Sequence, residues 1–438
     1  MSIVIKNAIL ADIDPIRVER GSLRVEQGLI VERGSEVAEQ AGDEVVDCDG
    51  RLVLPGLVNG HTHLYSALAV GMPPPPKAPQ DFLEILKFVW WRLDQAHDAT
   101  SIETSARIGA IDALRCGTTT LIDHHASPNC IDGSLELVEK GMAEVGLRGV
   151  LCYETTDRHG PQGRAAGMEE NRLYLQRCAE RRIGRFAGMV GAHASFTLDD
   201  ETLTQLAALA VEGETGVHIH VAEDACDEEQ CHAEHQTLLI DRLAGYGLLK
   251  PESIFAHCTH LDPDAIAKVT GAGVTVAHNP RSNMNNAVGY APVQSFGSPV
   301  MLGTDGIGGD MFAEAKAAWY ISRDIGAGLS PGDIVAMLAA SARRASRSLG
   351  LTLGKLEREA AADVILTDYR PATPLTSENL AAHLIFGVNA RHTTDVLIDG
   401  KWALRGRHVE LCDEAAALRE AITTSESLWR RMAEIPCP

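Results

Sequence analysis

The chain has 438 residues, 45% of them hydrophobic, enough to bury a large core and too many for one ordinary domain. Its 39 Lys plus Arg against 60 Asp plus Glu leave a formal charge of −21, which argues against nucleic acid or an anionic membrane surface as partner and serves solubility. No apolar run approaches the ~20 residues that a bilayer-crossing helix needs.

From Ser2 to about Leu54 the chain gives short alternating segments (SIVIKNAIL, GSLRVEQGLIVERG, DEVVDCDGRLVL) broken by Gly, Asp and Asn, a pattern of small antiparallel strands. The start alternates like a strand and lacks the basic-then-apolar form of a signal peptide. From LVLPGLVNG onward the period changes. Apolar, β-rich bursts recur as TTTLIDHH, RGVLCYET, FAGMVGAH, GVHIHVAE, SIFAHCTH, GVTVAHNP and SPVMLGTDG, with helical stretches such as SIETSARIGAIDALRCG and DETLTQLAALAVEGE between most of them. Counting the first, these are eight strand–helix units, the pattern of a closed (β/α)8 TIM barrel. The proline tract GMPPPPKAPQ after the first unit cannot be helix interior, and reads as a lid segment or a plain connector. Near the far end, ADVILTDY and TTDVLIDGKWALRGR return to the alternating pattern, and DEAAALREAITTSESLWRRMAEI reads as a terminal helix. The expected organisation is therefore a small β-sandwich built from residues 1–54 plus 352–411, a barrel over 55–351, and a helix over 412–438 packed on the barrel.

The chemistry-bearing residues fall where the barrel pattern ends each strand. PGLVNGHTH sets His61 and His63 two apart on an extended segment, so both imidazoles project from one face. His218 and His220 have the same spacing near the end of the fifth unit, with Glu223 just beyond. His257, His278 and Asp305 close the sixth, seventh and eighth. Any one of these has a bland explanation as a core or turn residue, but six histidines and two carboxylates at one rim do not. Three neutral imidazoles and a carboxylate suit zinc, with iron or manganese as alternatives. Both His218 and His220 face inward; His220, nearer the rim, is the better ligand, and His218 is expected one layer deeper as a hydrogen-bonding partner. AGMVGAHASFT contains no lysine that could be carboxylated to bridge two metals, which favours one ion.

Ten cysteines are scattered without C-x-x-C pairs, as in reduced thiols of a cytoplasmic protein; Cys226 and Cys231 lie near Glu223 but are not needed as ligands. Trp90 and Trp91 could stack on a flat ring or simply pack against the barrel. Arg281 could face the pocket or cap its loop.

In order, PGLVNGHTH, GTTTLIDHH, GAHASFT, HIHVAE, FAHCTHL, VAHNPRSN and LGTDG make the chain resemble the amidohydrolase superfamily, in the branch of cytosine, guanine and adenosine-type deaminases and triazine chlorohydrolases. The resemblance covers nearly the whole chain; HVAED and SNMNNAVGYAP look most like the SsnA-type aminohydrolases. It implies that His61, His63, His220 and Asp305 hold the metal. By the same resemblance Glu223 is the acid/base that protonates a substrate ring nitrogen, His257 orients the water and polarises the substrate, and Asp305 takes the proton from that water. His193 and Asn283 correspond to positions beside the substrate, and Trp91 is a further candidate there. One departure stands out: where relatives often carry Arg-Gly after HTH, this chain has Val70-Gly71, so the substrates of methylthioadenosine and S-adenosylhomocysteine deaminases are not carried over.

The expected reaction is hydrolytic deamination of an amino-substituted N-heterocycle (purine-, pterin- or pyrimidine-like), with a bound Zn²⁺ lowering the pKa of water towards ~7. The rivals are opening of a cyclic amide and displacement of chloride from a triazine. A catalytically silent scaffold would be expected to lack ligands, and none is lacking. The expected partner is a small heterocyclic molecule, and the expected assembly a cytoplasmic homo-oligomer.

Overall fold

The structure, a computed structural model, describes residues 2–181, 184–297 and 299–438. Both ends of the chain meet in one nine-stranded sheet. Its order runs His408–Val409, Lys401–Arg405, Thr393–Ile398, Val364–Thr367, Leu52–Pro55, Ile3–Ile13, Ile16–Glu26, Leu29–Gly34, with Glu44–Asp47 also paired to Ile3–Ile13. The two halves join where Ile365 faces Leu54 and Leu366 faces Val53 in antiparallel register. Ile5, Leu10, Leu23, Ile30, Leu366 and Leu397 are buried together on this sheet. The sequence expectation of a two-terminus β domain thus takes the form of one continuous mixed sheet.

The recurring apolar bursts form two all-parallel sheets. One has four strands, Leu57–Thr62, Thr118–His125, Arg148–Tyr153 and Phe186–Gly188; the other has five, Val190–Ala194, Val217–Val221, Ile254–His257, Thr275–His278 and Val300–Leu302. Two bursts divide in ways their composition does not show. LVLPGLVNG splits at Gly56, the first part joining the terminal sheet, and FAGMVGAH splits at Met189 between the two parallel sheets. Isolated parallel bridges join Thr62 to Asp305, just beyond Val300–Leu302, and Thr155, just beyond Arg148–Tyr153, to Ala192. Val58, Ile122, Val150, Ile254, Ala256, Ala277 and Met301 are buried in one cluster drawn from both sheets. Strands buried on both faces explain why these runs are continuously apolar rather than alternating.

Gly71–Gln80 lies outside helix and strand, as its prolines require. The terminal helix, Glu414–Glu434, sets Leu428 and Met432 against Tyr65, Leu68 and Leu93. A buried fork ties the terminal sheet to the parallel ones: Arg148 donates to both carboxylate oxygens of Asp363, at 2.9 and 3.1 Å. Removing one member of such a pair strands the other charge in the interior. Asp363→Ala is therefore expected to lower the unfolding free energy by about 3 kcal/mol in a denaturant titration; a loss below about 1 kcal/mol would show the fork is dispensable.

Candidate metal centre

The first and last parallel strands approach closely because glycine sits at the contact. A Cβ on Gly303 would lie 2.8 Å from the backbone nitrogen of His61, and one on Gly60 would lie 2.8 Å from the carbonyl of Leu302. Across this seam the Thr304 and Asp305 amides donate to the His61 carbonyl at 2.8 and 3.0 Å, carrying Asp305 to the histidine pair. The chain leaves its strands through left-handed residues at Ala222, His257, Cys258 and Asp305, with φ of 47°, 72°, 54° and 54°. For residues with a Cβ this costs roughly 1–2 kcal/mol each, and such strain collects at functional sites.

Four donors converge. His63 Nδ1 donates to the His124 carbonyl at 2.6 Å and His220 Nδ1 to the His193 carbonyl at 2.8 Å. With those protons committed, the two Nε2 atoms are the positions left to take up a cation, and they face each other at 3.1 Å. Two nitrogens at that distance share a positive charge, a proton on one ring or a metal ion held by both. His61 Nδ1 contacts His218 Nε2 at 2.9 Å, while its buried Nε2 has no hydrogen-bond partner and lies 3.5 Å from Asp305 Oδ1. Asp305 Oδ1 is 3.0 Å from His63 Nε2, and its other oxygen accepts from Ser282 Oγ. Ligand atoms of His61, His63, His220 and Asp305 all lie within 4.8 Å of one another. The donor set, with its orphaned nitrogen, fits a divalent cation. His218 lies outside this group, behind His61, and Cys226 and Cys231 belong to no such group.

Beside the four stand the acid–base residues. Glu223 Oε2 is 3.4 Å from His257 Nε2, and Asn286 Nδ2 donates to Glu223 Oε1 at 3.2 Å. Burial, reinforced by the Asp305 charge and opposed by His257, pushes the Glu223 carboxyl up to about 7. Burial also works against the Asp305 anion, but the His61, His63 and His257 side chains beside it outweigh that and hold the carboxyl well below the usual range. Asn283 Oδ1 accepts from His257 Nδ1 at 2.8 Å; Asn283 sits behind His257 and not on the cavity wall, so its contact is to the histidine.

A cavity opens over these groups, lined by His63, His220, Asp305, Glu223, His193 and Trp91 among others. One face of the Trp91 ring is covered by the Arg158 guanidinium, 4.4 Å from its centroid. Arg281 caps its loop, bonding to Glu314 and to the Gly308 carbonyl. His278 is buried away from the donor set against Tyr290. Val70 is 86% exposed and does not line the cavity.

Two neighbours of the site escaped sequence reasoning. His124 Nε2 donates to the carbonyls of Ala192 and His218, at 3.1 and 3.0 Å, and its Nδ1 meets Glu154 Oε2 at 3.2 Å. Glu154 lines the cavity, closing the third burst as His124 closes the second. A polar residue ending an apolar burst was the available signal at both positions. Burial raises the Glu154 carboxyl, but His193, His124 and Arg158 together hold it below the usual range.

If the four donors share one ion, His220→Ala is expected to lower bound metal from about one per chain to well under half, by elemental analysis after dialysis. His218→Leu, which removes only the support of His61, is expected to weaken binding about 10–100-fold without abolishing it. Full occupancy in His220→Ala would remove that residue from the set.

Residues 52–403 match the amidohydrolase family. A 5-methylthioadenosine/S-adenosylhomocysteine deaminase from Desulforudis audaxviator is 30% identical over 93% of this chain and 95% of its own. A 5'-deoxyadenosine deaminase from Methanobrevibacter smithii is 28% identical over 98% of both chains. Among solved structures, a zinc-bound adenosine deaminase from Xanthomonas campestris superposes with a TM-score of 0.83 over 99% of both chains at 23% identity. The zinc complex of an atrazine chlorohydrolase from Arthrobacter aurescens gives 0.80 over 97% of this chain and 100% of its own at 20% identity. With the matched segment spanning most of the sequence and the donor cluster in place, this chain belongs to the amidohydrolase family and is a hydrolase acting on carbon–nitrogen bonds.

Proposed function

We propose that this hydrolase deaminates an amino-substituted N-heterocycle of the aminopurine kind, using one zinc ion held by His61, His63, His220 and Asp305. The observation that carries the reading is a buried carboxyl, Glu223, placed in one cavity with Asp305 and 3.4 Å from His257 Nε2, where burial favours its protonated form. A carboxyl tuned there can hold a proton and give it up at neutral pH.

A divalent ion bound by these residues would lower the pKa of water towards ~7 and so make hydroxide available near neutral pH. Glu223 delivers its proton to the ring nitrogen next to the amino-bearing carbon, and Asn286 keeps that carboxyl in place. His257, its Nδ1 tied to Asn283, presents Nε2 towards Glu223 and the oxygen being added. Asp305, held as the anion, accepts the water proton, and Ser282 fixes its second oxygen. Collapse of the tetrahedral carbon breaks the C–N bond. The proton taken up by Asp305 moves to the amino group and the added hydroxyl returns a proton to Glu223, so that one water is consumed and one ammonia released, leaving an oxo-heterocycle.

This reading goes with a closed (β/α)8 barrel over 55–351, supported by the two inter-sheet bridges, with the composite β domain of 1–54 plus 352–411 and the helix of 412–438 as appendages. A cytoplasmic setting is supported by ten cysteines without a disulfide among the described residues. A homo-oligomer would cover the exposed Leu418 and Ile422 of the terminal helix.

Glu223→Gln is expected to keep its metal and lose at least ~100-fold in ammonia release from aminopurines, aminopterins and aminotriazines. Undiminished turnover in that variant would refute the role. Chloride release from chlorotriazines, or ring opening without ammonia, would replace deamination with one of those reactions.

A further inference from the structure

Apart from the metal centre, the charged side chains that line the cavity are all carboxylates. Glu154, Glu223, Asp224, Asp227 and Asp305 line it, and among the described residues no lysine or arginine does. The two guanidinium groups near the site are already spent. Arg158 stacks on Trp91 and donates to Asp94 and Glu154, each at 3.3 Å, and Arg281 is held by Glu314. A carboxylate or phosphate on the part of a substrate that lies away from the metal would lose its water here and find no free cation among the described residues.

Of the three lining carboxylates that deamination leaves unused, Asp224 accepts from the Cys226 amide and Asp227 from the Ala222 amide, which leaves Glu154. It is buried, accepts from Arg158 on one oxygen and from His124 on the other, and keeps a lone pair on each for a further donor. On the same lining, the buried indole N–H of Trp91 has no acceptor among the described residues. Phe82, Leu86, Trp90 and Phe196 make the rest of that wall apolar. Such a wall suits a flat uncharged ring with both N–H donors and acceptor atoms.

We infer that the substrate is an amino-heterocycle without an anionic tail, and that Glu154 selects it by accepting a hydrogen bond from a ring or exocyclic N–H. This rests on the deamination reading for the site but concerns which molecules enter it. Calorimetry on the metal-loaded protein compares adenosine with adenosine 5'-monophosphate, guanosine with guanosine 5'-monophosphate, and pterin with pterin-6-carboxylate. At least one uncharged member is expected to bind ~100-fold or more tightly than its anionic counterpart, the scale that like-charge burial sets. Glu154→Gln is expected to weaken that uncharged ligand by about 10-fold or more and to narrow the gap, with metal content unchanged. Should that variant fold poorly, Phe196→Arg, which adds a cation to the wall, is expected to improve binding of the anionic member about 10-fold or more. Equal binding of charged and uncharged partners, no binding of any uncharged probe, or an unaltered preference in either folded variant would overturn the inference. Ammonia assayed on the same compounds separates the two readings. Release from the phosphorylated compounds as readily as from the nucleosides defeats the charge selection and leaves deamination standing. Selective binding without ammonia does the reverse.

Discussion

The arrangement of His63 and His220 is the constraint on which the rest depends. Each ring gives its Nδ1 proton to a backbone carbonyl, of His124 and of His193, so their Nε2 atoms are left facing each other 3.1 Å apart, too close to stand without a shared cation. The fold holds this unfavourable contact by rigid strands on both sides, and places beside it a third orphaned nitrogen, of His61, and an aspartate. A divalent cation converts all four from mutually repelling or unpaired groups into ligands. The same groups without one would be a buried cluster short of partners.

Much of the neighbouring architecture serves to deliver these donors. Glycine at 60 and 303 lets the first and last parallel strands come together, and left-handed backbone at Ala222, His257 and Asp305 turns the chain at the strand ends where Glu223, His257 and Asp305 are needed. The helix-forming segments between strands carry caps of the ordinary kind, such as Asp98 and Asp199, and add stability without entering the site. The buried Val, Ile and Ala layer beneath the rim supplies the packing that holds these strained strand ends.

The parallel strands were legible in the sequence because burial on both faces leaves continuous apolar runs, each stopped by a polar residue. The spacing of His61 with His63, and of Glu223 with His220, survives in any extended chain, so local order alone exposed it. What was not legible depends on which distant strand lies alongside. The division of FAGMVGAH at Met189 is a matter of sheet edges, and the crossing of LVLPGLVNG into a second sheet at Gly56 has no compositional mark. The pairing of His124 with Glu154 joins two strands through a side-chain contact, and the covering of Trp91 by Arg158 joins segments 67 residues apart. Asn283 was read as a substrate neighbour, while its amide oxygen is turned to His257, a choice of rotamer and loop path that spacing does not encode.

The most direct test of the shared cation is anomalous diffraction from zinc-loaded crystals, collected on both sides of the zinc edge. The account predicts one strong peak bound at ~2.0–2.2 Å by Nε2 of His61, His63 and His220 and by a carboxylate oxygen of Asp305. A principal peak held instead by His124 and Glu154, or one that leaves Asp305 or His220 out of its ligand shell, would contradict it.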